Sequence, residues 1–299
     1  MKKKKSRKWL KISLIVIGVI ILGIGTYAFS IYNDAKQTVN KKVYEPVETI
    51  DRDVVQKKVE EKKPLNILLL GVDARGNDRG RSDALMVLSL DPSSDSAQLV
   101  SIPRDTRTEI VGKGAMDKIN HAYAFGGPEM SIATVENMLD IELDYFVRVN
   151  MEGLAETVDV LGGITINNEI AFSDFGLGNV NLDGTETLEY VRMRKQDPRG
   201  DFGRTERQRK VIQGIIDKGA NLGSVGKISE LMDVLGNNMA TNMNFEDMKN
   251  LMFNYKDTRQ NFATYQLQGT GTTIDGIYYM AVTDEEISKV HKMLVKSAS

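Results

Sequence analysis

The chain has 299 residues, 41% hydrophobic and 27% charged, the proportions of a globular protein rather than a disordered one. It has no cysteine and only two histidines, His121 and His291, which excludes disulfides and thiolate chemistry and argues against a histidine-rich zinc site. The formal charge of −2 is uneven: residues 1–11 carry seven positive charges and no negative ones, so the remainder is acidic and lacks the basic face of a nucleic-acid-binding protein.

Residues 1–11 read as a short basic tail. Ile12 to Tyr32 is an uncharged run of 21 residues. As a helix rising about 1.5 Å per residue, it matches a hydrocarbon core of roughly 30 Å. The basic cluster on its N-terminal side places the tail in the cytoplasm and everything after the run outside, a single-pass type II signal anchor in the cell membrane. A cleaved signal peptide ending near Ala28-Phe29-Ser30 is the competing reading, but this apolar core exceeds the usual ~7–15 residues. Residues 33–63 are charged and poorly periodic, as in Lys57-Lys58-Val59-Glu60-Glu61-Lys62-Lys63. They are expected to form an extracellular stalk, the alternative being a first helix of the domain. The folded domain is expected over residues 64–299.

Within the domain, strand and helix patterns alternate. Leu65–Val72 and Ala84–Leu90 are continuous apolar runs, as in buried strands, and Gln98–Ile102 is a third. Ser131–Leu139 and Leu154–Leu161 have helical spacing, with Tyr145–Val149 between them alternating as a strand. Thr185–Val191 and Arg204–Asp217 read as helices, Phe262–Leu267 and Ile277–Ala281 as strands, and Glu285–Val295 as a closing helix. The mixture predicts an α/β fold, a mixed central sheet with helices on both faces.

Asp73 ends the first strand and Asp83 precedes the second, separated by the Gly- and Arg-rich loop Ala74 to Gly80. Ligands gather at strand ends in open α/β sheets, and two such carboxylates can hold Mg²⁺ with water and phosphate completing the octahedron. The other reading is a pair of strand-cap residues bonded to Arg75 or Arg81. Arg104 follows the third strand, where its planar fork can grip phosphate oxygens or simply pair with Asp105. Lys118 is a weaker candidate, and His121 reads as structural.

The strongest signal is Val191 to Lys210, with eight positive residues against Asp197, Asp201 and Glu206. At about 100° per residue, Arg204, Arg207, Gln208, Val211 and Ile215 share one stripe, whereas Arg209 and Lys210 fall away from it. The stripe is apolar in its later turns and guanidinium and amide in its first ones. Burying Arg without a partner is costly, so this helix start is expected to line an anion cavity. Arg209 is expected on an exposed face. A solvated charge run is the alternative.

With these residues placed, the chain resembles the LytR-CpsA-Psr family of Gram-positive cell envelopes. The matching pieces are Gly71-Val72-Asp73, Arg81-Ser82-Asp83-Ala84, Ser101-Ile102-Pro103-Arg104-Asp105, Lys118-Ile119-Asn120 with Tyr123, Gly162-Gly163-Ile164, and Tyr190-Val191-Arg192-Met193-Arg194 followed by Asp201, Arg204 and Gln208. Within the family, the likeness is greatest to the enzymes of Bacillus type that attach wall teichoic acid. The resemblance implies phosphotransfer of a glycopolymer from undecaprenyl diphosphate to the 6-hydroxyl of N-acetylmuramic acid in peptidoglycan. It assigns Asp73 and Asp83 to Mg²⁺ (or Mn²⁺), and these two with Arg104 to catalysis. Diphosphate binding falls to Arg81, Arg104, Lys118, Arg192, Arg194, Arg204 and Gln208, with Arg207 added from the helix stripe. The expected partners are the lipid-linked polymer, peptidoglycan and the membrane, not nucleic acid. A polyprenyl-diphosphate phosphatase and a non-catalytic lipid-phosphate-binding regulator are the alternatives.

Overall fold

The computed structural model describes residues 26–27, 29–72, 80–219 and 225–296. Most of the expected anchor, the 74–79 loop and Asp73 therefore lie outside the described residues. Among the described residues no helix is long and apolar enough to cross a membrane.

Helix α1 covers residues 29–38 and runs into a π-helical turn, Val39–Val43, and α2 is Arg52–Glu60. Next come β1 (Leu65–Val72), β2 (Ser82–Asp91), β3 (Ser96–Ile102), the hairpin β4 (Arg107–Ile110) and β5 (Ala115–Lys118), and α3 (His121–Leu139). The middle of the chain holds β6 (Tyr145–Asn150), α4 (Met151–Leu161), the hairpin β7 (Ile164–Asn168) and β8 (Gly178–Leu182), α5 (Gly184–Arg192) and α6 (Asp201–Gly219). Then follow α7 (Val225–Asn238), β9 (Met239–Thr241), α8 (Phe245–Asn254), β10 (Asn261–Gln266), the hairpin β11 (Thr270–Ile274) and β12 (Ile277–Ala281), and α9 (Asp284–Lys296).

The central sheet has the order β10-β3-β2-β1-β6-β9. It is mixed: β1 and β6 run parallel, as do β3 and β10, while β2 is antiparallel to both its neighbours. The unbroken apolar run of β1 is explained by burial on both faces. Leu68, Leu70 and Val72 join one core with Val135 and Leu139 of α3 and Val290 and Leu294 of α9. Leu65, Ile67 and Leu69 face the opposite core, with Val55 and Val59 of α2 and Ile212 and Ile216 of α6. The expected α/β architecture is thus present, with helices on both faces. A third core gathers Phe172, Phe175, Tyr190 and Val211 between the β7–β8 hairpin, α5 and α6. Consequently α6 is covered on two sides.

Residues 33–63 do not form the expected solvated stalk. Asp51 caps α2 by accepting from the backbone of Asp53 and Val54, and Val55 and Val59 are 4% and 3% exposed. Lys58 binds buried Asp144 at 2.8 Å, and Arg52 binds Asp247 at 2.9 Å. Val39 and Val43 are also buried. Even within the expected span, Tyr32 stands edge-on to Phe245 of α8 with ring centroids 5.1 Å apart. High charge density hid a narrow apolar stripe of residues four apart, too short to register as a helical pattern.

Candidate functional site: an arginine cluster beside an apolar cavity

Strand pairing assembles the site. Gly71 of β1 lies opposite Ala84 of β2, and Ile102 at the end of β3 lies opposite Leu85. The end of β1, the start of β2 and the end of β3 therefore share one edge of the sheet, and the first turns of α6 approach it. Arg104 donates from Nη1 to Asp83 Oδ1 at 2.5 Å, and its Nε stands 3.8 Å from Asp105. Lys118 Nζ reaches Asp105 at 2.7 Å. From α6, Arg204 Nη2 pairs with Asp201 Oδ1 at 2.6 Å, and Arg194 Nε approaches the same oxygen at 3.8 Å.

The cluster is incompletely satisfied. The Nε atoms of both Arg104 and Arg204 are buried without a hydrogen-bond partner, as is Ser82 Oγ. Such orphaned donors cost about 1–3 kcal/mol each unless something binds them. Burial pulls the Arg204 guanidinium below its ordinary pKa, and Arg104 and Arg194 lower it further, against the pull of Asp201 and Asp83. Arg104 is also penalised by burial, but its hydrogen bond and charge contact with Asp83 more than offset this and raise it. An entering anion would relieve the repulsion among these guanidinium groups and accept from their free donors.

An apolar cavity of about 110 Å³ adjoins this edge, between the sheet and α6. Leu69, Met86, Val147, Leu154 and Ile212 contribute to its walls, and Gln208 is its polar member from α6. Gly71 and Ala84 line it as well; a Cβ on Gly71 would meet that of Ala84 at 3.0 Å, so two small residues keep this part open. Their facing positions in bulky runs are the signal that could have located the cavity.

Of the expected anion-binding residues, the structure brings Arg104, Arg194 and Arg204 together, with Lys118 joined through Asp105. Arg81 and Arg192 are exposed. Asp105 and Asp201, which tie the cations together, had not been singled out as site residues. Two expectations for α6 need correction. Arg207 is 3% exposed and committed to the fold. Its Nε donates to the Tyr190 carbonyl at 3.1 Å, Nη1 to Asp197 at 2.6 Å and Nη2 to the Met193 carbonyl. Its guanidinium carbon also lies 5.3 Å from the Phe172 ring centroid. At about 100° per residue it sits about 60° round from Arg204, enough to turn it into the third core. Arg209, expected on an exposed face, is 7% exposed. It donates to Ser101 Oγ at 2.8 Å and Gln266 Oε1 at 3.1 Å, and burial pushes its pKa down to about 10.

Asp83 offers oxygen to a hard cation: Oδ1 holds Arg104, and no bond to Oδ2 is recorded among the described residues. Ser82 Oγ next to it lacks a partner. This oxygen-only set suits Mg²⁺ or Mn²⁺. Among the described residues no three acidic or histidine side chains group around a metal position, and Asp73, the expected second ligand, lies outside them.

The LytR_cpsA_psr family matches residues 26–296. The polyisoprenyl-teichoic acid–peptidoglycan teichoic acid transferase TagU of Bacillus subtilis is 45% identical over 99% of this chain and 98% of its own. The crystal structure of B. subtilis TagU superposes with a TM-score of 0.65 at 46% identity, covering 80% of this chain and 98% of that one. TagT, solved bound to LIIa-WTA, superposes with a TM-score of 0.69 at 32% identity, covering 79% of this chain and 91% of that one. With a match along nearly the whole described chain and the same fold in its relatives, this protein belongs to the LytR_cpsA_psr family.

Proposed function

We propose that the protein is a phosphotransferase that moves an anionic glycopolymer, a wall teichoic acid, from its undecaprenyl-diphosphate carrier to the 6-hydroxyl of N-acetylmuramic acid in peptidoglycan. The observation that carries this reading is the adjacency of a partly unsatisfied arginine cluster and an apolar cavity at one sheet edge. A lipid diphosphate has the matching anatomy, a charged head next to an apolar tail. The names of the similar Bacillus proteins support the same chemistry. The cavity takes the first part of the prenyl chain, with Gln208 at the boundary between tail and head.

In this reaction the acceptor hydroxyl oxygen bonds to the sugar-linked phosphorus and gives up its proton. The bond to the lipid-side phosphate breaks, releasing polyprenyl monophosphate, with the proton passing to that phosphate or to solvent. Charge neutralisation and positioning dominate such transfers, so no covalent nucleophile is required. Arg104 and Arg204, each with an unpartnered Nε, bind the diphosphate, with Arg194, Lys118, Arg192 and Arg81 supporting from the rim. Asp83, with Asp73, would hold Mg²⁺, which supplies a further positive charge against the phosphate oxygens. The uncharged run 12–32 with its basic flank supports a type II anchor, which keeps the site near a membrane-bound donor.

The test incubates the full-length protein with a lipid-diphosphate-linked disaccharide and peptidoglycan oligomers, with mass analysis of the products. A phosphodiester-linked conjugate and free polyprenyl monophosphate are expected. Asp83→Asn is expected to abolish the conjugate at low Mg²⁺ while the protein stays folded by circular dichroism. Release of the disaccharide phosphate into water, with the acceptor unmodified, would replace transfer by hydrolysis.

A further inference from the structure

Beside the arginine cluster lies a second, open depression of about 710 Å³. One wall is a stripe of α5: Thr185, Leu188, Glu189 and Arg192 stand at i, i+3, i+4 and i+7. The chain leaves the helix at Met193, the wall continues through Arg194 into the turn at Lys195 and Gln196, and Ser173 faces it from the segment after β7. Arg192, Arg194 and Lys195 are all exposed.

The cations of this groove differ from those around it. The exposed or half-exposed cations that follow on this part of the chain have close carboxylates, Arg199 with Glu206 and Asp197 and Lys210 with Glu169 and Glu206. Buried Arg207 has Asp197, while Arg209 is buried on neutral partners. Among the described residues neither Arg192 nor Lys195 joins an ion pair, and Arg194 only approaches Asp201 at 3.8 Å. Three cations against the single carboxylate of Glu189 make the groove net positive in an otherwise acidic protein. Its remaining chemistry is two hydroxyls, Ser173 and Thr185, the Gln196 amide, and the half-buried apolar side chains of Leu188 and Met193. The groove is also continuous with the anion site, because Arg194 lines it and approaches the carboxylate that holds Arg204.

We propose that this groove receives the phosphodiester-linked repeats of the glycopolymer beyond the diphosphate, with Lys195 as a cation for the polymer rather than for the reacting head. This rests on the transferase reading and adds a polymer subsite to it. A repeating phosphodiester carries one fixed negative charge per unit between polar, partly apolar carbon segments. Cations at successive points along the wall, Arg192, Arg194 and Lys195, match it, and the hydroxyls and apolar side chains suit the parts between phosphates. A neutral glycan strand gains nothing from the charge. The interactions are exposed and therefore individually weak, so they sort donors by polymer content more than they add overall affinity.

The experiment uses the full-length protein and two donors with the same lipid diphosphate and disaccharide, one ending there and one extended by several polyol-phosphate repeats. Lys195→Glu is expected to raise KM for the extended donor about three- to tenfold relative to the short one, and less at high salt. Lys195→Arg is expected to retain the preference. Equal changes on the two donors, no change, or a change confined to the KM for peptidoglycan would overturn the proposal; the last would make the groove an acceptor site. If the unsubstituted protein transfers neither donor, the transferase reading fails by itself. The groove is then decided without turnover, by binding of a free polyol-phosphate oligomer. Tighter binding than to a neutral glycan, weakened by Lys195→Glu, sustains the proposal, and no such difference overturns it.

Discussion

Arg204 and Arg207 lie less than one turn apart on α6, and their surroundings differ in kind. Around Arg207 each of Nε, Nη1 and Nη2 has an acceptor, two carbonyls and the Asp197 carboxylate, with an aromatic ring close by. Around Arg204 there is one carboxylate, an orphaned Nε, and two further guanidinium groups near enough to depress its pKa. Both side chains are largely withdrawn from water. Burial therefore does not separate Arg207 from Arg204; the pairing of their donors does. Arg209, with its Nε also unpartnered, differs from Arg204 in lying away from the cluster at the sheet edge. A buried cation with every donor paired is part of the core, and one with spare donors among like charges is stabilised by an incoming anion.

Three measurements test this contrast. The largest effect is expected for Asp197→Asn, which leaves buried Arg207 without its counter-charge and should cost about 3–5 kcal/mol in chemical unfolding. Burial alone would raise the Asp197 pKa, but hydrogen bonds from Arg199 and Arg207 more than offset this and hold it below the ordinary 3.8. Its stabilising contribution is accordingly complete above about pH 3.8 and is lost as pH falls through the lower folded value. The acid limb of the stability curve should flatten in the variant; an unchanged limb would place the titration elsewhere.

The next effect separates the two arginines directly. Arg204→Ala should weaken lipid-diphosphate binding by about ten- to a hundredfold, the loss of a charge-assisted contact of about 1.5–3 kcal/mol, while leaving the melting temperature level or slightly raised. Arg207→Ala should show the reverse, a lowered melting temperature and little loss of affinity in the folded fraction. Matching losses of affinity in the two variants would mean that α6 is only a basic surface. The smallest effect concerns Arg209, buried like Arg207 but bonded to neutral groups, through Nη1 alone and with its Nε unpartnered. Ser101→Ala removes one acceptor and leaves Gln266, so about 1 kcal/mol of stability should be lost. The Arg209 pKa, near 10, should fall further, readable by titration of the labelled guanidinium.

The sheet was legible because its signal is local. Leu65–Val72, Ala84–Leu90 and Gln98–Ile102 are apolar without interruption, and only strands covered on both faces, or a buried helix, read that way. The hairpins β4–β5 and β7–β8, too short for a periodic pattern, were not visible. The site was legible in part. Arg104 was placed by its position after a strand, and Arg204 and Gln208 by the switch from apolar to polar along one helix stripe. Arg207 and Arg209 were misplaced because a stripe argument assumes one buried face, and α6 has a sheet on one side and the β7–β8 layer on the other.

Composition and pattern by themselves determined the classes of chemistry excluded, the buried strands, the strand-end positions of Asp83 and Arg104, and the charge-rich start of α6. Tertiary structure alone decided which guanidinium groups are satisfied, that residues 33–63 pack against the domain, and that Gly71 meets Ala84 beside a cavity. The physical reason is range. Strand and helix patterns depend on neighbours a few residues apart, whereas satisfaction of a buried donor depends on acceptors such as Ser101 for Arg209, 108 residues away in the chain and 2.8 Å away in space.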